Sequence, residues 1–416
     1  MDVRAAAGSE VRCLPHRRES QVDAEDHGST EGAEELFERS GTGPLSGVLV
    51  ADFSRVLAGP YATMMLADLG ATVVKVEGRT GDDTRHWAPP RRGEDATYFL
   101  TANRNKHSVV LDFKDPEDLA LAQELARRAD VLVENFKAGG LAKYGLDYET
   151  VSAENPGVVY ASVTGFGRDN PQPGYDLLIQ GLSGFMSVTG TEESGPVKAG
   201  VAIVDVFTGL HTTVGILAAL VHRQNTGQGQ LVETNLLSSA LSGLANQTSA
   251  YVAGGVTPRA MGNAHPSLYP YQPMPTKQGQ IIIAIGNDAQ FARLAEVLGH
   301  PEWAADDRFA RAANRNENRS ELEPLLVSAL AERTNQEWFE TLTAAGLPCA
   351  PINTIAQGVE LAARLGLDPV ADAGAGERVI PTVANPIRLS QTPPSYDLAP
   401  PTLGQSTDLV KEWLRG

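Results

Sequence analysis

From Val48 onward, apolar positions follow two alternating patterns. Short β-branched and aliphatic runs give way to stretches with apolar residues three or four apart. The first such unit is VLVADFSRVLAGPYATMMLADLGATVVKVE, Val48 to Glu77. Val48 to Phe53 reads as a strand, broken by Ala58-Gly59-Pro60. Pro60 suits the first turn of a helix, Tyr61 to Leu69 is amphipathic, Gly70 ends it, and Thr72 to Val76 is a second strand. The unit predicts two parallel strands joined by a helix. Its first loop has small residues where a ligand could approach the backbone. It lacks the glycine spacing of a dinucleotide or P-loop site.

The alternation continues. Ser108 to Phe113 predicts a strand. Asp115 as N-cap, Pro116 at the first helical position and Glu117 and Asp118 behind them predict a helix to Arg127-Arg128. Asp130 to Glu134 and Val158 to Thr164 are further strands. This is α/β organisation around a mainly parallel sheet. A helix from Asp205 is apolar nearly all round as far as His222-Arg223, with Gly227 just past its end, so it is expected to be buried with Asp205 as its N-cap. Asp176, in PGYDLLIQG, opens another helical run in the same way.

The pattern shifts near residue 228. Gln230 to Thr234 predicts a strand and Leu236 to Val252 a helix. A Pro/Gly-rich stretch follows to Gly279, then a strand from Gln280 to Gly286 and a helix capped by Asn287-Asp288. The expected division is an extension over 1–45, a large domain over 46–227, a smaller domain over 228–347, and a segment over 348–416 that returns to the large domain. The extension is polar, acidic on balance and without apolar periodicity, so it reads as disordered. It has no secretory h-region and is too acidic for a mitochondrial transit peptide.

Composition narrows the function. The formal net charge is −17, which argues against nucleic acid or an anionic membrane as partner. No apolar run approaches the ~18 residues that a membrane helix needs. Cys13 and Cys349 make no disulfide framework and no zinc set. A reducing, cytoplasmic setting fits, with no metal expected. HExxH, GxSxG, Walker and CxxC motifs are missing. What remains is Asp205 at a helix start, where an ionised carboxylate is stabilised and could act as a nucleophile. Several cations also follow predicted strand ends, where an open α/β sheet holds its ligand. For Asp205 or Asp176 alone, capping is the simpler role. For any one cation it is a place in a solvated, salt-bridged surface. The residues by themselves stop at an α/β enzyme that binds something anionic.

Taken together, DFSRVLAGPYAT, LADLGATVVKVE, GDDTR, NRNKHSVVLDFK, ADVLVENFKAGGLAKYGLDYE, NPGVVYASVTGFG, GYDLLIQGLSG, GVAIVDVFTGLHTTVGILAALVHRQNTGQGQ and a late LGQST resemble class III CoA-transferases, the CaiB/BaiF family. The resemblance runs from about Leu45 to the C-terminus. It implies a Rossmann-like large domain, a smaller α/β domain and an interlocked homodimer. It also implies Asp205 as the nucleophile, in addition to any capping role. CoA contacts carry over to Leu57, Ala58, Leu111, Asp112, Phe113, Lys114, Asn135, Phe136, Lys137 and Lys143, where the family often has Arg in place of the last. A further CoA-binding arginine of the family aligns at Gly78, and Arg79 is the cation beside it. Coenzyme A and its esters are then substrates, with no tightly bound cofactor.

The implied chemistry is attack of the Asp205 carboxylate on an acyl-CoA to give a mixed anhydride, followed by an aspartyl-CoA thioester. Racemases of the same family pair the aspartate with a histidine. Here Tyr175 holds that place, and tyrosine is a poor proton shuttle at neutral pH. A racemase and a non-catalytic acyl-CoA-binding paralogue are the alternatives. The segments around Asp205 and AHPSLYPYQPMPTKQGQ look most like the succinyl-CoA:glutarate branch, which implies a dicarboxylate acceptor. Tyr175, Asp176 and His265 are the candidates on the acyl side. GNAHPSLYPYQ stands where formyl-CoA transferases carry a glycine-rich lid, so oxalate is not the expected acceptor.

Overall fold

The computed structural model describes residues 43–416; the expected disordered extension lies almost wholly outside them. Six parallel strands form the central sheet: β1 (Leu49–Asp52), β2 (Thr72–Glu77), β3 (Lys106–Val110), β4 (Val131–Glu134), β5 (Val159–Thr164) and β6 (Gln230–Asn235). Their order across the sheet is 3-2-1-4-5-6, that of doubly wound nucleotide-binding sheets. The order reverses between β1 and β4. The crevice beyond the carboxyl ends of those two strands is therefore the expected ligand site.

Strand side chains alternate between two cores. Val50, Val73, Val131 and Val159 face α1 (Ala58–Asp68) and α4 (Ile203–Thr226). Ala51, Val74, Val109 and Leu132 face α2 (Pro116–Arg128) and α9 (Thr407–Arg415), the last helix of the chain. The signals around α2 act as read: Asp115 accepts from the backbone of Glu117 and Asp118, and Pro116 opens the helix. The C-terminal segment binds this half through Asn105 N–H to the Leu398 carbonyl (2.9 Å) and Lys411 to Asp118 (2.5 Å).

Several expectations change. Helix α1 starts at Ala58 rather than Tyr61 and is buried almost all round, because α4 covers the side that would otherwise meet solvent. The boundary placed at residue 228 is crossed by the sheet: Gln230–Asn235 pairs in parallel with β5 as its edge strand. The predicted helix over 236–252 is two pieces, α5 (Leu236–Gly243) and a second short helix over Asn246–Val252, split where Ala245 takes φ +42°. Finally, α4 is long and apolar enough to span a membrane by length and composition. Its threonines and glycines interrupt the apolar run but cost little hydropathy. In the fold it packs on α1, α5 and β6. It also shows an outer stripe with Leu210, Val214 and Val221 exposed.

A separate core lies beyond residue 268. Antiparallel β7 (Tyr271–Pro275), β8 (Gln280–Ala284) and β9 (Cys349–Ala350) are covered by α6 (Asp288–Val297), α7 (Arg319–Leu330) and α8 (Asn335–Ala344).

Candidate active site

The loops after β1 and β4 are pinned to each other across the switch point. The Asn135 amide donates to the Arg55 carbonyl (2.7 Å) and accepts the Arg55 N–H (2.9 Å). Its side chain is thus occupied in holding two loops together, which makes Asn135 a positioning residue. Beneath it, the buried Glu134 accepts the Phe136 N–H (2.8 Å). Burial pushes that carboxyl above its usual range, against a bond from Ser162.

A cleft opens over these loops. Leu57 and Ala58 line it from the start of α1, Phe136 and Lys137 from the β4 loop, and Tyr175 and Asp205 from the far wall. Arg55 and Phe136 also line a second hollow, with Gly78, Leu111, Asp112, Phe113 and Lys114 on its walls. The Arg55 guanidinium lies 5.8 Å from the Phe136 ring centre, at the waist joining the two hollows. Arg79 pairs with Asp112 (3.1 Å), and Lys143 lies over the ring of Tyr144, which lines the second hollow. Most of the expected ligand residues are thus brought from the loops after β1, β2, β3 and β4 to two adjoining hollows with cations in their walls, while Arg79 and Lys143 stand beside them outside the lining. His265 is not in this groove. Its ring packs on Tyr271 (5.0 Å) and its Nδ1 accepts the N–H groups of Ser267 and Leu268, so within its own chain it stabilises a turn.

Asp205 comes to the groove on the first turn of α4 rather than as its N-cap, which is Ala202. The cap comes from elsewhere. The Asp176 carboxylate accepts the N–H of Val204 (2.8 Å) and of Asp205 (3.3 Å). Asp176 itself opens α3 (Asp176–Leu182) but caps its neighbour. Gln180 fixes it, donating to Asp176 Oδ2 (2.5 Å) while accepting the Ala199 N–H (2.8 Å). Gly209, one turn beyond Asp205, lets α4 approach α1: a Cβ there would lie 2.8 Å from the Ala58 carbonyl oxygen. That contact sets Asp205 opposite Leu57 and Ala58.

Because Asp176 uses the helix donors, Asp205 does not gain their full stabilisation. Desolvation, and then the charge of Asp176, push the Asp205 carboxyl up to about 7. A carboxyl poised near neutrality in a cleft marks a functional site. The first turn of α1 has no side-chain cap, Pro60 brings no N–H and the Tyr61 N–H binds the Leu57 carbonyl (2.7 Å), so the donors left to meet an anion are those of Ala58 and Gly59.

Two aromatics at this site escaped the sequence reading. Trp87 lines the cleft, and Tyr98 meets it edge-on with ring centres 5.0 Å apart. Burial and the charges of Asp205 and Asp176 raise the Tyr98 hydroxyl, which places it within their field. The one available signal was the position of Trp87 directly after GDDTRH.

A doubly wound sheet with a raised carboxyl and a cation-lined groove at its switch point defines an α/β enzyme that handles an anionic, nucleotide-like ligand. Comparison with known proteins narrows that class. Residues 45–407 match the model of CoA-transferase family III, and the chain belongs to that family. Over 376 residues it is 44% identical to a succinate–glutarate CoA-transferase of Agrobacterium fabrum, covering 87% of this chain and 93% of that protein. It is 40% identical to the succinyl-CoA:glutarate CoA-transferase of Mus musculus, covering 89% and 87%. A CaiB/BaiF family protein from Brucella suis has the same fold, with TM-score 0.80 and 41% identity over 89% of this chain and 99% of that one.

Proposed function

We propose that this CoA-transferase moves CoA from succinyl-CoA to a second dicarboxylic acid of glutarate type, with Asp205 as the nucleophile. The observation that carries the reading is the raised Asp205 carboxyl in the wall of the groove at the sheet's switch point. The names of the similar enzymes supply the acid class.

The Asp205 carboxylate attacks the thioester carbonyl, the C–S bond breaks, and a mixed anhydride forms with CoA thiolate. The thiolate attacks the Asp205 carbonyl and expels the donor acid, leaving an aspartyl-CoA thioester. The acceptor carboxylate then reverses both steps. Each acid arrives with its own nucleophilic oxygen, so no general base is needed. The free N–H groups at the start of α1 suit the oxyanions, and Arg55, Lys114, Lys137 and Lys143 suit the phosphates of CoA. The test is incubation with succinyl-CoA and a panel of acids, with new thioesters followed by mass spectrometry. Glutaryl-CoA is the expected product. α-Deuteration without exchange would replace this reading by the racemase, and binding without turnover by the silent paralogue.

In this reading the Tyr98 hydroxyl, which feels the charges of Asp205 and Asp176, donates a hydrogen bond to an acyl carboxylate beside Asp205. Tyr98→Phe is expected to lower kcat/KM for the acid about tenfold, the value of one hydrogen bond to a charged group, with KM for CoA unchanged.

The chain acts as a homodimer in this proposal, with a smaller domain that starts after β6. Support comes from the exposed stripe on α4, where Val214 is 66% exposed among apolar neighbours. Monomeric proteins rarely leave such stripes open. Val214→Glu is expected to shift the protein from dimer to monomer or aggregate in light scattering. An unchanged mass would remove this face from the interface.

A further inference from the structure

One buried carboxylate outside the reacting centre holds two walls of the groove at once. Asp82 is 2% exposed. Its oxygens accept the Val56 N–H (3.2 and 3.3 Å), the Thr84 N–H (3.0 Å) and the Thr84 hydroxyl (2.7 Å). Lys75, equally buried, donates to Asp82 (3.0 Å) and to the Ser54 carbonyl (3.0 Å). The Asp82 N–H in turn binds Glu77 (2.9 Å), which Arg85 neutralises (2.6 Å). Every charge in this cluster faces an opposite one.

What the cluster holds is unusual. Val56 has φ +69°, a left-handed conformation that a β-branched side chain strongly resists. Such strain persists only where the surroundings over-determine it. Here Asn135 grips the backbone of Arg55 on one side, and Asp82 grips the Val56 N–H on the other. The next residues are Leu57 and Ala58, which line the groove opposite Asp205. Through Thr84, Asp82 also caps the turn Asp83–His86 that delivers Trp87 to the same groove.

We infer that Asp82 is a positioning residue for the transfer reaction: by holding Val56 in its strained conformation it sets the Leu57–Ala58 backbone, and through Thr84 it sets Trp87, against the acyl group at Asp205. Lys75 keeps Asp82 ionised and in place. Val56 without that bond relaxes toward negative φ and carries Ala58 away from Asp205. The inference rests on the transferase reading for its kinetic consequence and on geometry alone for its conformational one.

A double-mutant cycle separates positioning from simple loss of folding. Asp82→Asn puts an amide beside Lys75 and is expected to lower kcat at least about thirtyfold. In the Val56→Gly background, where left-handed φ carries no penalty, the same Asp82→Asn change should cost less than about fivefold. A purely structural role for Asp82 would give equal losses in both backgrounds, and equal losses overturn the inference. So does an Asp82→Asn enzyme within threefold of wild type. Should Asp82→Asn fail to fold, Val56→Pro breaks the same bond from the loop side. Proline can neither donate the N–H nor adopt φ +69°, so retained kcat in Val56→Pro overturns the inference equally. If the wild-type protein exchanges no CoA, the parent reading falls. This one is then decided by crystal structures: Val56 at negative φ in Asp82→Asn upholds it, and an unchanged φ refutes it.

Discussion

Replacement of Asp205 by Asn is expected to abolish CoA transfer, by at least about a thousandfold in kcat, while making the protein more stable above pH 7. The loss follows from the nucleophilic role: an amide has no oxygen that can form an anhydride and return CoA. The gain follows from the carboxyl's own environment. Its pKa rises from 3.8 in an exposed aspartate to about 7 in the fold. The folded chain therefore holds this proton more tightly than the unfolded chain does. Stability falls as pH rises between those two values, and above about 7 the ionised carboxylate is a standing penalty. That penalty is at most about 4 kcal/mol, and solvent in the open cleft reduces it to roughly 2. Melting curves at pH 5 and pH 8 should show Asp205→Asn gaining on wild type clearly more at the higher pH, with part of the gain already present at pH 5. The same titration governs the wild-type rate. Because the carboxylate is the reactive form, kcat/KM should climb with pH through a midpoint near 7 in the free enzyme. A rate independent of pH from 5.5 to 8, or Asp205→Asn retaining turnover, would dismiss Asp205 as nucleophile.

The parts of this architecture that could be read along the chain are those whose causes are local. The run Thr72 to Val76, the Gly70 stop and the Asp115-Pro116 start owe their conformations to residues within a turn of them, and the strands and helix appear there. Long-range causes left no such trace. Asp205 looks like an N-cap because nothing nearby shows that Asp176, 29 residues earlier, supplies the cap. Gln230–Asn235 looked like the start of a new domain because an edge strand is only half covered and keeps polar residues. Trp87 and Tyr98 belong to the site through a loop that the sheet order brings to the switch point, and pairing order is not written in any one segment. The groove was legible only as a set of motifs in family order. Its waist at Arg55 and Phe136, and the clip made by Asn135, required the folded chain.

The Asp176 carboxylate does two things that substitution can separate, and the second large effect is expected there. Its charge raises the Asp205 carboxyl. Its Oδ1 holds the first turn of α4 by the N–H groups of Val204 and Asp205. Asp176→Asn keeps an acceptor at that point and removes the charge. The midpoint of the kcat/KM profile should therefore move toward lower pH, and activity at pH 6 relative to pH 8 should rise. Asp176→Ala removes the acceptor as well. Two donors at the head of α4 are then left unbound, and Gln180 loses the contact that ties α3 to the segment before α4. Losing such a cap costs about 1–3 kcal/mol. The greater cost is to geometry, since Asp205 rides on that turn. A displacement of the nucleophile by about 1 Å is enough for roughly a hundredfold loss, so kcat of Asp176→Ala should fall by about that factor with a lower melting temperature. The order of the two variants is the decisive readout. If Asp176→Asn loses as much activity as Asp176→Ala with no change in its pH midpoint, the carboxylate acts directly on substrate and is not the cap that aims Asp205.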